Sequence, residues 1–339
     1  SYHTEMMSIR ILTYLILTLF MMGGVVHAQD RFIHNLSSLP HFSNASYFGF
    51  KDPSKIGILT EFVSAQTNNT SQHQYAFATS FFEDYDFQLG LEYMSTQLDN
   101  SGYNHSTARL SYIYKLRLEN NWYFYPGVTA GYSSYNFDYG NLVFLDQIDI
   151  LSGQVNTITS DPIVATDTMG YIDFGASMMA HNDYNMSFGF SVSHLNQPKI
   201  SSELSERVVN LNMLLSAQFG YEINLNRYQQ GRLPNYSYLY LFHNFSKQGE
   251  NTRLDLYQEF TLANLVLGVN EHISGLNGAN LFQLGLSLGL KLDSLDIGFN
   301  YALPIGINQF STPNAFEIFI TFDLSPYRVR NRRDFSRFY

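Results

Sequence analysis

Positions 208–223 read Val-Val-Asn-Leu-Asn-Met-Leu-Leu-Ser-Ala-Gln-Phe-Gly-Tyr-Glu-Ile. Within them Val209, Leu211, Met213, Leu215, Ala217, Phe219 and Tyr221 alternate with Asn210, Asn212, Leu214, Ser216, Gln218, Gly220 and Glu222. Successive side chains of a strand point to opposite faces, so this stretch sets one apolar face against one polar face. The pattern returns at 281–292, where Phe282, Leu284, Leu286, Leu288, Leu290 and Leu292 oppose Leu281, Gln283, Gly285, Ser287, Gly289 and Lys291. A soluble sandwich also alternates, but its solvent face is charged. Here the polar face is Gly, Ser, Asn and Gln, which suits a barrel lumen. The expected fold class is all-β: a transmembrane antiparallel β-barrel whose apolar face meets lipid.

Working outward, about fourteen such segments are expected, at 55–64, 75–82, 87–95, 104–116, 122–137, 169–180, 186–194, 208–223, 236–246, 253–261, 265–273, 279–292, 295–301 and 315–324. Outer-membrane barrels have short periplasmic turns and longer outer loops. Short connections fall at 83–86, 119–121, 181–185, 262–264 and 293–294, and longer ones at 65–74, 96–103, 138–168, 195–207, 247–252, 274–278 and 302–314. The connection at 224–235 breaks the rule, being long where a turn is due. Tyr112, Tyr114, Trp122, Tyr123, Phe124 and Tyr125 crowd around the turn at 119–121, as an interfacial aromatic girdle does.

Only 14% of the 339 residues are charged, against about 25% in an ordinary soluble domain. The longest apolar run, 11–26, follows Met6, Met7 and Arg10 and ends at Val26-His27-Ala28. That arrangement predicts a cleaved signal peptide within 1–28, after an upstream extension at 1–5; a retained membrane helix is the rival reading. The expected organisation is then a periplasmic N-terminal segment at 29–54, the outer-membrane barrel at 55–324 and a basic tail at 325–339 carrying Arg328, Arg330, Arg332, Arg333 and Arg337. Both termini are placed in the periplasm. The absence of cysteine excludes a lipid anchor, a disulfide frame and a thiolate metal site. A net charge of -10 argues against nucleic acid as a partner; outer-membrane lipid is the expected surrounding.

No catalytic frame emerges: there is no GxSxG, HExxH or P-loop, and neither His243 nor His272 has a partner at ligand spacing. No enzyme activity, cofactor or metal is therefore expected. Alternation turns Arg109, Lys115, Asp173, Arg253, Asp255, Glu259 and Lys291 inward. They either line a charge-selective conduit or pair across a filled lumen.

Two neighbouring segments carry a resemblance. Tyr171-Ile172-Asp173-Phe174-Gly175-Ala176 is followed, after a short turn, by Phe188-Gly189-Phe190-Ser191-Val192-Ser193-His194-Leu195-Asn196-Gln197-Pro198. Together they resemble the "pdfgaG" strand and the "vGlSv.HL.qP" exit of the PorP/SprF family of type IX secretion system proteins of Bacteroidota. Tyr112-Ile113-Tyr114-Lys115-Leu116, Pro126-Gly127-Val128-Thr129-Ala130-Gly131-Tyr132 and Phe316-Glu317-Ile318 are similar to that family as well. Where the family has an Asn-Pro-Ala-Tyr-Ala-Gly stretch, this chain has Ser43-Asn44-Ala45-Ser46-Tyr47. The resemblance implies a non-enzymatic outer-membrane component of type IX secretion and gliding motility, exporting or anchoring adhesins and other cargo with type B C-terminal domains, alongside other secretion or periplasmic components. A passive or substrate-selective channel is the alternative. The motif residues Asp173, Phe174, Gly175, Gly189, Ser193, His194, Leu195, Gln197 and Pro198 either shape a strand exit or form a partner contact.

Overall fold

The computed structural model describes residues 33–51, 54–64, 70–98, 102–137, 167–201, 208–226, 233–274, 280–305 and 314–324. The expected signal peptide, nearly all of the 138–168 loop, part of the 195–207 connection and the basic tail lie outside them. No helix among the described residues is long and apolar enough to cross a membrane. The crossing is made by strands, which satisfy their backbone groups from neighbours and leave none for lipid.

Fourteen of these form the wall: β1 (Lys55–Ser64), β2 (Thr70–Phe82), β3 (Phe87–Leu98), β4 (Tyr103–Tyr114, carried on by Leu116–Arg117), β5 (Trp122–Phe137), β6 (Asp167–Asn182), β7 (Met186–Ser193), β8 (Leu214–Asn224), β9 (Ser237–Gln248), β10 (Asn251–Leu262), β11 (Leu265–Ser274), β12 (Asn280–Lys291), β13 (Leu295–Pro304) and β14 (Asn314–Asp323). Each pairs antiparallel with the next, and β1 pairs with β14 from Lys55↔Asp323 to Ser64↔Asn314, closing the cylinder. Closure removes the open edges that a bilayer could not solvate.

The outer face is the apolar one. Leu286, Leu288, Leu290 and Leu292 are between 46% and 55% exposed, while Gln283 and Gly285 of the same strand are buried. On β8, Leu215 and Ala217 face out and Ser216, Gln218 and Glu222 face in, in the register that period-two alternation predicts.

Several bounds differ from expectation: β2 starts at Thr70 and β3 runs to Leu98, so the connections expected at 65–74 and 96–103 are shorter, and two further differences concern the strands themselves. Residues 208–210 do not belong to β8; they pair with Lys199–Ser201 in a small separate ribbon. The alternation runs unbroken through both, because a period of two records which way side chains point and not which strand is the partner. The connection expected at 247–252 is a tight turn at Gly249 and Glu250, since β9 and β10 each run further than their apolar residues suggest; Gly249 takes a positive φ of 60° there.

The larger correction concerns the segment ahead of β1. Residues 33–51, expected in the periplasm, are packed inside the barrel. They form a plug with two 3-10 turns, Pro40–Phe42 and Ala45–Gly49, and bury Ile33, Leu36, Leu39, Phe42, Tyr47, Phe48 and Phe50. Against these pack inward side chains of the wall: Leu59, Tyr75, Phe77, Ile113, Tyr125, Met179, Tyr240, Phe242 and Tyr257. The hydrophobic core of the molecule is the barrel interior. Burying a large apolar side chain contributes roughly 1.5–3 kcal/mol, which is why these seven side chains hold the plug inside rather than in water.

Candidate functional site

The two family-like segments form one structure at the rim where the longer connections lie. β6 and β7 are joined by a turn at 183–185, held by Asn182, whose Oδ1 accepts from the backbone N–H groups of Tyr184 (3.2 Å), Asn185 (2.8 Å) and Met186 (2.8 Å). The β6–β7 ladder stops at Ala176, nine residues after β6 begins at Asp167, so that part of β6 has no ladder partner in β7. Its last ladder pair is Ala176↔Val192. The turn that follows takes over. Leu195 N–H donates to Phe174 O (2.9 Å), and the Asn196 side-chain amide then replaces a strand: its Oδ1 accepts from Phe174 N–H (3.2 Å) and its Nδ2 donates to Ile172 O (2.7 Å).

The turn is held in a tight geometry. His194 and Gln197 have positive φ values of 59° and 43°, a region that costs a residue with a side chain free energy. The compensation is visible: Gln197 N–H donates to His194 O (3.0 Å), and His194 Nδ1 lies 3.0 Å from Asp173 Oδ2. Pro198 is buried, and its carbonyl accepts from Leu211 N–H (3.0 Å), which joins the exit to the ribbon at Lys199–Ser201. Leu195, Asn196 and Gln197 are left exposed on this fixed turn. Replacing Asn196 with alanine should leave the barrel folded, cost about 1–2 kcal/mol and abolish slow hydrogen exchange at the Phe174 amide; unchanged protection there would mean that another group closes the β6 edge.

The structure thus brings Asp173, Ser193, His194 and Leu195 together with the Phe174 backbone. Gly175 permits the close approach: a Cβ there would stand 3.1 Å from Val192 O. Phe174 itself points outward, and Gln197 and Pro198 begin the ribbon. Gly189 belongs elsewhere. A Cβ on it would stand 2.6 Å from Gln218 Oε1 and 2.7 Å from both Asn44 Nδ2 and Tyr47, so its bare backbone is the seat of the plug.

The plug is tied to these same strands through Ser43-Asn44-Ala45-Ser46-Tyr47, the stretch that departs from the family pattern. Asn44 Nδ2 donates to Met178 O (3.1 Å) and Gln218 Oε1 (2.9 Å), while its Oδ1 caps the turn by accepting from Ser46 N–H (3.0 Å). Ser191 Oγ donates to Ser43 O (2.7 Å), and the Ser46 and Ser177 hydroxyls are 2.8 Å apart. The sequence reading missed Asn44, Ser46 and Asn196 as structural anchors. Position 44 carried a signal, standing where the family motif has its own asparagine.

Inward charges pair across the filled interior. Arg109 Nη2 donates to Glu92 Oε1 (3.1 Å), Arg253 Nε to Asp255 Oδ1 (2.5 Å), and His272 Nδ1 lies 2.7 Å from the same oxygen. Lys115 sits over the Phe81 and Tyr123 rings at 5.2 and 5.3 Å, and Glu259 accepts from Ser37 of the plug. A cavity of about 90 Å³ persists beside Leu39 and His41, lined by Lys55, Thr79 and Lys291, and one of about 20 Å³ lies under the exit motif against Arg109, Asp173 and Ser193. Both are wide enough to admit water.

Comparison with known proteins places this geometry. The model of the family described as type IX secretion system membrane protein PorP/SprF matches residues 25–322. No curated protein matches the chain. Among solved structures, outer membrane protein Omp33 of Acinetobacter baumannii aligns with a TM-score of 0.45 at 6% identity, over 80% of this chain and 97% of that one. An engineered porin of Rh. blastica aligns with a TM-score of 0.34 at 8% identity, over 80% and 98%. With a family match that spans nearly the whole barrel, its strand exit and its plug, the chain belongs to the PorP/SprF family of type IX secretion system membrane proteins.

Proposed function

We propose that this outer-membrane barrel works without catalysis, as an anchor that holds secreted cargo bearing a type B C-terminal domain at the cell surface. The observation that carries the reading is the combination of a lumen filled by the chain's own residues 33–51 with a fixed, exposed turn at Leu195, Asn196 and Gln197 on the rim. A filled barrel offers a surface rather than a path. The short-turn end, where β1 starts and β14 ends, faces the periplasm with both termini, and the longer connections at 138–168 and 195–207 face outward as the docking surface. Loops longer than about a dozen residues are usually functional. The basic tail meets an acidic periplasmic component of the secretion machine.

The channel reading needs an open lumen, and the packing of Phe42, Tyr47 and Phe48 against the wall weighs against it. The test is crosslinking and affinity capture of the tagged full chain from outer-membrane extract, followed by mass spectrometry. Recovery of a protein with a type B C-terminal domain, reduced at least about tenfold when Leu195 becomes Glu and Gln197 becomes Ala, is the expected result; each tenfold step corresponds to about 1.4 kcal/mol. Equal recovery with the doubly substituted chain removes the docking turn from the proposal. Failure to recover any such protein ends the anchor reading.

A further inference from the structure

Three side chains far apart in sequence converge at the seam of the barrel. His34 comes from the plug, Glu61 from β1 and Glu317 from β14, and their donor atoms all lie within 4.8 Å of one another. Glu61 and Glu317 are directly opposite in the β1–β14 ladder, both turned inward, with side chains 0% and 1% exposed. Like charges facing each other across a strand pair are destabilising, and two ionised carboxylates in a dry interior are more so. A proton or a bound cation has to neutralise the pair.

The nearby cation does not fill that place. Arg253 is engaged with Asp255 and with the His272 ring, Nη2 to Nδ1 at 3.0 Å. His34 Nε2 lies 3.1 Å from Gln283 Oε1, an atom that can only accept, so that nitrogen carries a proton. In a neutral ring Nδ1 is then bare, and it is Nδ1 that touches Glu61 and stands 3.9 Å from Glu317 Oε1. Glu61 Oε2 is buried without a hydrogen bond, its neighbour being His73 Nε2 at 3.8 Å. One imidazole nitrogen and one oxygen of each carboxylate thus lie within 4.8 Å of one another.

Two of the three side chains are held by outer hydrogen bonds. Glu317 Oε2 accepts from Asn35 N–H and Asn300 Nδ2, both at 3.0 Å, and Oε1 accepts from His34 N–H at 2.5 Å. Gln283 fixes the His34 ring. Outer hydrogen bonds of this kind orient ligands in metal sites.

We propose that His34, Glu61 and Glu317 bind one divalent transition-metal ion that fastens the plug to both strands of the seam. Two carboxylates and a neutral imidazole are charge-balanced by a divalent cation. A proton on His34 supplies half that charge. The imidazole nitrogen selects zinc and its neighbours in the first transition row over magnesium or calcium, which prefer all-oxygen shells.

The experiment uses the full chain, purified in detergent, stripped with EDTA, exposed to Zn²⁺ and desalted, with metal measured by mass spectrometry. One equivalent of zinc is expected, undisturbed by excess Mg²⁺ or Ca²⁺. His34→Asn, which leaves the wall untouched, and Glu61→Gln should each weaken binding by at least the ~10–100-fold that loss of an outer-shell partner costs. Heat-shifted gel mobility reports that each variant is still a folded barrel. Wild-type protein that retains no stoichiometric zinc, or folded variants that bind it as well as wild type, would overturn the proposal and leave a protonated His34 as the counter-charge.

Discussion

Deleting residues 33–51 is expected to turn a silent barrel into a conducting pore. Eight strands close around side chains alone, whereas sixteen to eighteen leave an aqueous channel. Fourteen strands lie nearer the second case, and the inward side chains of the wall fill the interior here only together with the plug. The ladder from β1 round to β14 is continuous without it, so the wall persists when the plug is gone. Its removal also uncovers Glu61, Glu259 and Glu317, which lose His34, Ser37 and the backbone N–H groups of His34 and Asn35. The pore should therefore favour cations. Planar-bilayer recording gives the answer: current steps with cation selectivity in the deleted chain and none in the full chain are expected. Steps of equal size in both would show that the plug does not seal the lumen.

Substituting Phe48 with alanine should destabilise the protein by about 3–5 kcal/mol, the usual cost of emptying a buried aromatic site. Phe48 is 2% exposed, lies in the space left by the missing side chain of Gly90, stacks on His41 at 4.4 Å between ring centroids and meets Phe77 at 6.0 Å. Neither neighbour is free to collapse into the cavity, because each is part of the wall or of a plug turn. Denaturant unfolding of the detergent-solubilised barrel measures it. A loss below about 1 kcal/mol would mean that the plug is loosely held.

The wall was legible because lipid forces a simple rule on every strand. Lys55–Ser64 and Trp122–Phe137 begin and end where alternation and turn residues place them. The interior was not. Ile33, Leu36, Leu39, Phe42, Ala45 and Phe48 recur at every third residue, a spacing that belongs neither to a strand nor to an α-helix, so alternation passes over it. A trace of the plug was present in β9, where Tyr238, Tyr240 and Phe242 face inward and Leu239 and Leu241 lie on the other face. A strand apolar on both faces does not border water on either, and that pattern marks where the lumen is filled. The exit motif was found through Gly175, His194 and Pro198, while Asn196 was passed over because a side chain standing in for a strand leaves no spacing to read. Glu61 and Glu317 are 256 positions apart and meet only when the cylinder closes.

The bonds from the backbone of His34 and Asn35 to Glu317 span nearly the whole chain, with 283 and 282 positions between donor and acceptor. They cannot form while β14 is absent, and β14 is the last strand to be made. During assembly the N-terminal segment must wait, unsecured on that side, until the first and last strands meet. Sealing the interior and completing the cylinder are in this sense one late event, and contacts this distant in sequence are slow to form. Until that event the unfinished wall has an interior still accessible from the open seam.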